Sequence, residues 1–312
     1  MTHLPGFERL AIHAMGTRFE AALSGASPAD LRSAGEVAFQ EILELHARWS
    51  AFDPGSLLTR VNRLAAGRAV PIDGETFEVL ALARSLWEAT DGTFDPTTGA
   101  AMRTHGFRPS RPDTDPGASA RASADAPLPG MGAVELDPGA GTVRFLDPRV
   151  ELDLGALAKG VALDRAGESL RESGVPCALI HGGTSGVLAI GTPPDSDGWP
   201  IALDREGRIP SVRLRDAALG VSAGHGRGAA IGGGGHVLDP RTGRPGSVDR
   251  FAAVVGDSAA VADAWATAWL VRALPSRTPE SLSVLAGLTD GETPTEVTHR
   301  SDPRGAFSPP PR

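Results

Sequence analysis

The chain has 312 residues, enough to bury a full core as one large domain or as two smaller ones. Its 30 basic residues are outnumbered by 38 acidic ones, for a net charge of −8, and no Lys/Arg cluster forms a phosphate-backbone footprint, which argues against a nucleic-acid partner. The single cysteine, Cys177, excludes an intrachain disulfide, and no run of eighteen apolar residues is present to span a membrane as a helix.

The opening MTHLPGFERLAIHAMG lacks the basic stretch and apolar core of a secretion signal. As it stands the chain therefore reads as cytoplasmic, or as periplasmic if its start is trimmed or misassigned. Ser27-Pro28 followed by Asp30 is the pattern of an N-cap with proline in the first turn. Leu31, Val37, Ala38, Ile42, Leu45 and Trp49 then recur at helical spacing, predicting an amphipathic helix over 28–49. A turn-rich connector, SAFDPGSLLTRVNRLAAG, leads to a second predicted helix over 75–90, which Gly92 stops. Residues 109–130, dense in Pro, Ser, Ala and Asp, predict a mobile or disordered surface excursion.

Beyond it, strands are predicted at 133–136, 142–146 and 150–153, then a helix at 155–172 that Gly174 ends. CALIHGG reads as a buried strand, with Cys177 inside it, entering a glycine turn. Further strands are predicted at 187–190, 199–204, 211–214, 217–222 and 251–255, ahead of a helix carrying Asp263. Residues 299–312, with three prolines before Arg312, read as a disordered tail. No internal repeat is visible and strands mix with helices without a βαβ alternation, so the expected class is α+β over 1–298.

Two segments carry the chemistry. In GGGGHVLDPRTGRP, residues 232–245, four glycines allow close backbone approach to a ligand, His236 presents an imidazole, and Asp239-Pro240 with Thr242-Gly243 closes a turn. In VADAWATAWL, Asp263 and Thr267 lie four residues apart, so their oxygens share one helix face and can hold a small hard cation. A carboxylate and a hydroxyl suit Mg²⁺, which keeps waters and takes further oxygens from a phosphate-bearing ligand. Taken alone, the pair reads rather as an N-terminal helix acid and an ordinary helical threonine. Lys159 is the only lysine, at the start of a predicted helix, where anions are favoured. The glycine turns lack the Gly-Lys-Ser/Thr ending of a P-loop, and no G-x-G-x-x-G joins a strand to a helix.

Met15-Gly16-Thr17, the Ser50–Asn62 stretch, TDGTFDPTTG at 90–99, LDLGALAKG at 152–160, HVLDPRTGRP and ADAWATA resemble, in order and spacing, the ApbE family of FAD:protein FMN transferases. The resemblance implies cleavage of FAD, transfer of FMN to a Ser/Thr hydroxyl in a flavinylation motif of an acceptor protein, and release of AMP. It implies metal binding by Asp263, Thr267 and the backbone carbonyl of Ala156. Some members carry a second acid where this chain has Ala266, which argues for one ion. His236 becomes the expected general base, with His181 and His225 as alternatives. Met15, Phe52, Asp95, Thr97, Asp153 and Lys159 become the expected FAD contacts. Phe52 stands where many relatives have tyrosine, and this chain has no tyrosine at all. HGGTSG at 181–186 carries Thr184 and Ser185 where relatives place an acid after two glycines. Two rivals keep the same site: an Mg²⁺-dependent FAD pyrophosphatase, and a non-catalytic FAD-binding protein.

Overall fold

Ser27 starts the first long helix as the sequence dictates. Its hydroxyl accepts the amide of Asp30 at 3.2 Å, Pro28 fills the first turn, and helix α1 runs over Pro28–Trp49. The computed structural model describes residues 6–108, 127–203, 211–224, 237–246, 250–272, 278–288 and, as backbone, 305–308. Within it α1, α5 (Ala158–Glu172) and α6 (Ala259–Val271) cover one face of a seven-stranded sheet. The strands are ordered β1 (Glu8–Ala14), β2 (Thr17–Ser24), β6 (Cys177–Gly182), β7 (Gly186–Ile190), β10 (Ala218–Ala223), β13 (Arg250–Gly256) and β14 (Ser283–Leu288), and every neighbouring pair is antiparallel.

Side chains alternate across a strand, and this sheet is apolar on both faces. Ala178 and Ile180 of β6, with Leu188 and Ile190 of β7, join Ile42, Leu163 and Trp265 in the helix-side core. The intervening Cys177, Leu179 and Ala189 join Phe251 and Val255 in a second core. That second core is closed by a small sheet of β8 (Trp199–Ile201), β9 (Ser211–Leu214) and β15 (Gly305–Ser308), through Trp199, Val212 and Leu214. A third sheet, β3 (Val70–Pro71), β4 (Val134–Asp137) and β5 (Thr142–Phe145), accompanies α2 (Leu57–Leu64) and α3 (Gly74–Ala89).

Two contacts, one from α5 and one from β10, fix α6 in depth. The carboxylate of Asp164 accepts the Ser258 hydroxyl at 2.7 Å and the amides of Ala259 and Ala260 at 2.7 and 3.0 Å, which caps α6 from a neighbouring helix. Gly220 on β10 lets the α6 backbone come so close that an added Cβ would stand 2.4 Å from the Ala262 carbonyl carbon.

The α+β class and most of the expected helices and strands match the sequence reading, which had no strand at β1, β2 or β14. Five local expectations do not. The 50–67 connector contains α2, whose N-terminus Ser56 caps by accepting the Thr59 amide at 3.0 Å. Residues 150–153 are not a strand: Glu151 forms a single bridge to Thr98, while Asp153 donates its amide to Pro96 and Leu152 bonds the side chain of Asn62. Residues 155–157 form a turn, and α5 begins at Ala158. The end of the 109–130 excursion is fixed, since Leu128 donates to the Pro240 carbonyl at 2.8 Å; residues 109–126 lie outside the described ones. Within the expected tail, Gly305–Ser308 pairs with Ser211–Leu214, because edge strand β9 offers an unpaired row of backbone groups.

Candidate functional site

Antiparallel order brings the β1–β2 turn, the β6–β7 turn and the last residues of β10 to one end of the sheet. The C-terminus of α1 and the N-terminus of α5 arrive at the same end. A cavity of about 570 Å³ lies there, with Met15, His46 and Phe52 and also Ser185, Ser222, Asp263 and Thr267 in its lining.

Asp263 is 5% exposed, and its Oδ2 is buried with no hydrogen-bond partner. Burial pushes its carboxyl up to about 7; the charge of Lys159 pulls it down, that of Asp164 pushes it up, and the Gly160 amide, donating to it, pulls it down. In a regular helix that amide would return to the carbonyl of Ala156, four residues back. Here it serves the carboxylate, and Ala156 lines the cavity beside it. Thr267 donates its hydroxyl hydrogen to the Asp263 carbonyl at 3.0 Å and lies 3.2 Å from the Ser222 hydroxyl, leaving oxygen lone pairs beside Asp263. A buried, unpartnered carboxylate oxygen, a hydroxyl oxygen and a backbone carbonyl form an all-oxygen donor set that fits a hard cation. Among the described residues no cluster of three His, Cys, Asp or Glu offers a rival metal site.

Lys159, second in α5, donates to the Gly155 carbonyl at 2.7 Å and lines the cavity. Asp153 is held by Arg108 through two hydrogen bonds and accepts the Gly155 amide at 2.8 Å. The Arg108 guanidinium also stands 5.1 Å from the centroid of the Phe52 ring, itself 62% exposed at the cavity mouth. Asp95, itself buried, also lines the cavity. Burial pushes its carboxyl up to about 6, against hydrogen bonds from Thr97 and Trp87 that pull it down.

Thr97 does not line the cavity, although Thr98 does. It is fully buried, donates through amide and hydroxyl to Asp95 at 2.8 and 2.7 Å, and accepts the Gly130 amide at 3.2 Å. Thr97 therefore positions Asp95. Met15 and Gly16, at φ +49° and +70°, form the two-residue turn joining β1 to β2, a geometry with both central residues at positive φ. The turn is pinned to α1 by the Met15 amide, which donates to His46 Nδ1 at 3.2 Å.

His236 and His225 lie outside the described residues. The segment after His236 is fixed at the cavity: Val237, Leu238 and Pro240 line it, and β11 (Leu238–Asp239) pairs with β12 (Arg244–Pro245) around the turn read from the sequence. His105, the C-cap of α4 (Gly99–Thr104), holds this hairpin, its Nε2 lying 2.8 Å from the Gly243 carbonyl oxygen. His181 is not on the cavity; its Nε2 meets Glu20 at 3.0 Å and its Nδ1 the Gly183 carbonyl at 3.2 Å. Thr184 and Ser185 do line the cavity. The sequence reading missed His46, within the predicted helix over 28–49, and Arg108, at the edge of the Pro/Ser-rich excursion.

A cavity at one end of the sheet, with a buried oxygen donor set and an exposed aromatic in its lining, can hold a phosphate-bearing ligand over a hard cation. Residues 15–280 match the model of the ApbE family. The FAD:protein FMN transferase of Rhodobacter capsulatus is 34% identical over 269 residues, 83% of this chain and 50% of the relative. That of Haemophilus influenzae is 26% identical over 218 residues, 65% of this chain and 61% of the relative. This chain thus spans about half the length of the first and under two thirds of the second. The ApbE protein of Thermotoga maritima shares the fold, with a TM-score of 0.79 at 24% identity over 92% of this chain and 96% of that one. The chain belongs to the ApbE family.

Proposed function

We propose that this chain is an FAD:protein FMN transferase, which binds FAD in the cavity, transfers FMN to a Ser/Thr hydroxyl of an acceptor protein and releases AMP. The observation that carries this reading is the buried, unpartnered Oδ2 of Asp263 beside Thr267, in the lining of a cavity of about 570 Å³ in a chain of this family.

Asp263, Thr267 and the Ala156 carbonyl would hold Mg²⁺, which when bound neutralises phosphate charge and polarises the phosphorus. Lys159 reaches phosphate oxygens as a point charge from the first turn of α5. Asp153, steadied by Arg108, and Asp95, steadied by Thr97, orient the ligand along the cavity wall. Phe52 offers a ring face at the mouth. His236 takes the proton of the acceptor hydroxyl as its oxygen bonds to the FMN phosphorus. The bond from that phosphorus to the bridging oxygen then breaks, and its electron pair leaves with AMP.

The test is AMP release from FAD by the purified chain, in Mg²⁺ or EDTA, with and without an acceptor carrying a Ser/Thr flavinylation motif. In-gel flavin fluorescence reads the label. Mg²⁺-dependent AMP release with a fluorescent acceptor is expected. AMP without labelling assigns the site to hydrolysis, and FAD retention without AMP under every condition makes the chain a binding protein.

A further inference from the structure

His46 has no part in the steps above, yet it lines both the main cavity and an adjoining hollow of about 380 Å³ around the β1–β2 turn. Its Nδ1 accepts the Met15 amide at 3.2 Å. A backbone amide can only donate, so Nδ1 carries no proton and the neutral ring keeps its hydrogen on Nε2. Among the described residues Nε2 has no hydrogen-bond partner. The ring is held at two points: α1 carries it between buried Leu45 and Trp49, and the amide of Met15, itself at φ +49°, locks its rotation. His46 is thus a fixed donor facing a cavity.

Its place along the sheet says which part of a ligand it can meet. Thr267 touches Ser222 of β10, whereas His46 touches the turn entering β2, and β6 and β7 lie between. Three strand spacings separate the two by about 14 Å. A pyrophosphate held at Asp263 and Thr267 is too short to span that distance to His46, but the terminal ring of an extended dinucleotide can reach it. We infer that His46 is a binding residue for a terminal heterocycle of FAD, donating from Nε2 to a ring carbonyl oxygen or ring nitrogen. The inference rests on FAD being the ligand of this cavity. Isoalloxazine and adenine share that acceptor chemistry, so titrations with FMN and with ADP identify the ring concerned.

The experiment compares the full chain with His46→Ala, His46→Asn and His46→Gln by calorimetric titration with FAD, FMN and ADP in Mg²⁺, with a melting temperature for each variant. Asn can replace Nδ1 as acceptor for Met15 but has nothing at Nε2, whereas Gln places an amide hydrogen near the Nε2 position. Loss of one neutral hydrogen bond should weaken FAD binding by about fivefold to tenfold in His46→Ala and His46→Asn. His46→Gln should keep most of the affinity, and only one of FMN and ADP should follow FAD. Wild-type affinity in His46→Asn would overturn the inference, leaving His46 as an anchor for the turn. Unchanged affinity in His46→Ala would overturn it as well. Failure of the wild-type chain to bind FAD would overturn the flavin reading together with this one, whereas the other two outcomes leave the flavin reading standing.

Discussion

Arg108 grips Asp153 with both arms of its guanidinium, Nε to Oδ2 at 2.7 Å and Nη2 to Oδ1 at 3.0 Å, across 45 residues of sequence. The same guanidinium covers the Phe52 ring, so one side chain ties the mouth of the cavity to the LDLGALAKG turn. Asp153 is only 8% exposed, and without Arg108 its carboxylate keeps the Gly155 amide alone among the partners described. Arg108→Ala should therefore destabilise the fold by about 2–3 kcal/mol in urea titration. Adding Asp153→Asn should recover part of that loss, with a coupling energy of about 1–2 kcal/mol in the double-mutant cycle. Strict additivity would mean the pair is ornamental.

The donor set at Asp263 predicts opposite effects on stability and on metal. Asp263→Asn removes a buried acid that lacks a full set of partners, so the metal-free protein should melt no lower than wild type. The same change should abolish Mg²⁺ binding measured by calorimetry in the presence of FAD. Thr267→Ser keeps the oxygen and should bind metal, whereas Thr267→Val should lose about tenfold or more in affinity, the scale seen when support around a metal is removed. Mg²⁺ binding that survives Asp263→Asn would rule out the proposed ligand set.

Asp95 makes a pH prediction. Its folded pKa, about 6, lies above the free value of 3.8, chiefly because burial opposes the charge. The folded state thus holds a proton that the unfolded chain has already released, and ionisation penalises folding as pH rises from about 4 through 6. The penalty is up to about 3 kcal/mol above that window and absent below it. Asp95→Asn keeps an acceptor for Thr97 and should flatten this slope, raising the melting temperature at pH 8 relative to wild type but not at pH 4. Parallel pH profiles for the two proteins would place the titration elsewhere.

How much of this was legible in the sequence depends on the range of the interaction. Asp263 and Thr267 share a helix, so a spacing of four places their oxygens together once the helix is recognised. Ser27, Pro28 and the α1 stripe are equally local. The α2 helix was hidden because Asp53, Pro54 and Gly55 read as turn, and the Ser56 cap behind them was absorbed into it. The β1–β2 hairpin was hidden because Met15-Gly16 is not a usual turn pair; His46, 31 residues on, accepts the Met15 amide. Arg108 with Asp153 and Gly130 with Thr97 meet only after the chain has folded, and no periodicity announces them.

Gly220 tests whether the depth of α6 sets the site. An added Cβ would stand 2.4 Å from the Ala262 carbonyl carbon and 2.5 Å from the Asp263 amide nitrogen, all backbone that cannot rotate away. Either β10 or α6 has to move, and α6 carries both Asp263 and Thr267 while Asp164 holds its first turn in place. Gly220→Ala should cost about 1–3 kcal/mol in stability through overpacking. It should also weaken Mg²⁺ binding, because Asp263 moves with the helix while the Ala156 carbonyl stays with α5. Gly74→Ala, at the start of α3 with nothing within 4 Å of the new methyl, is the matched control. That control should be neutral or stabilising by about 0.4–1 kcal/mol, with unchanged metal affinity. If Gly220→Ala loses stability but binds Mg²⁺ as wild type does, the close approach serves packing alone and the geometry of the site is set elsewhere.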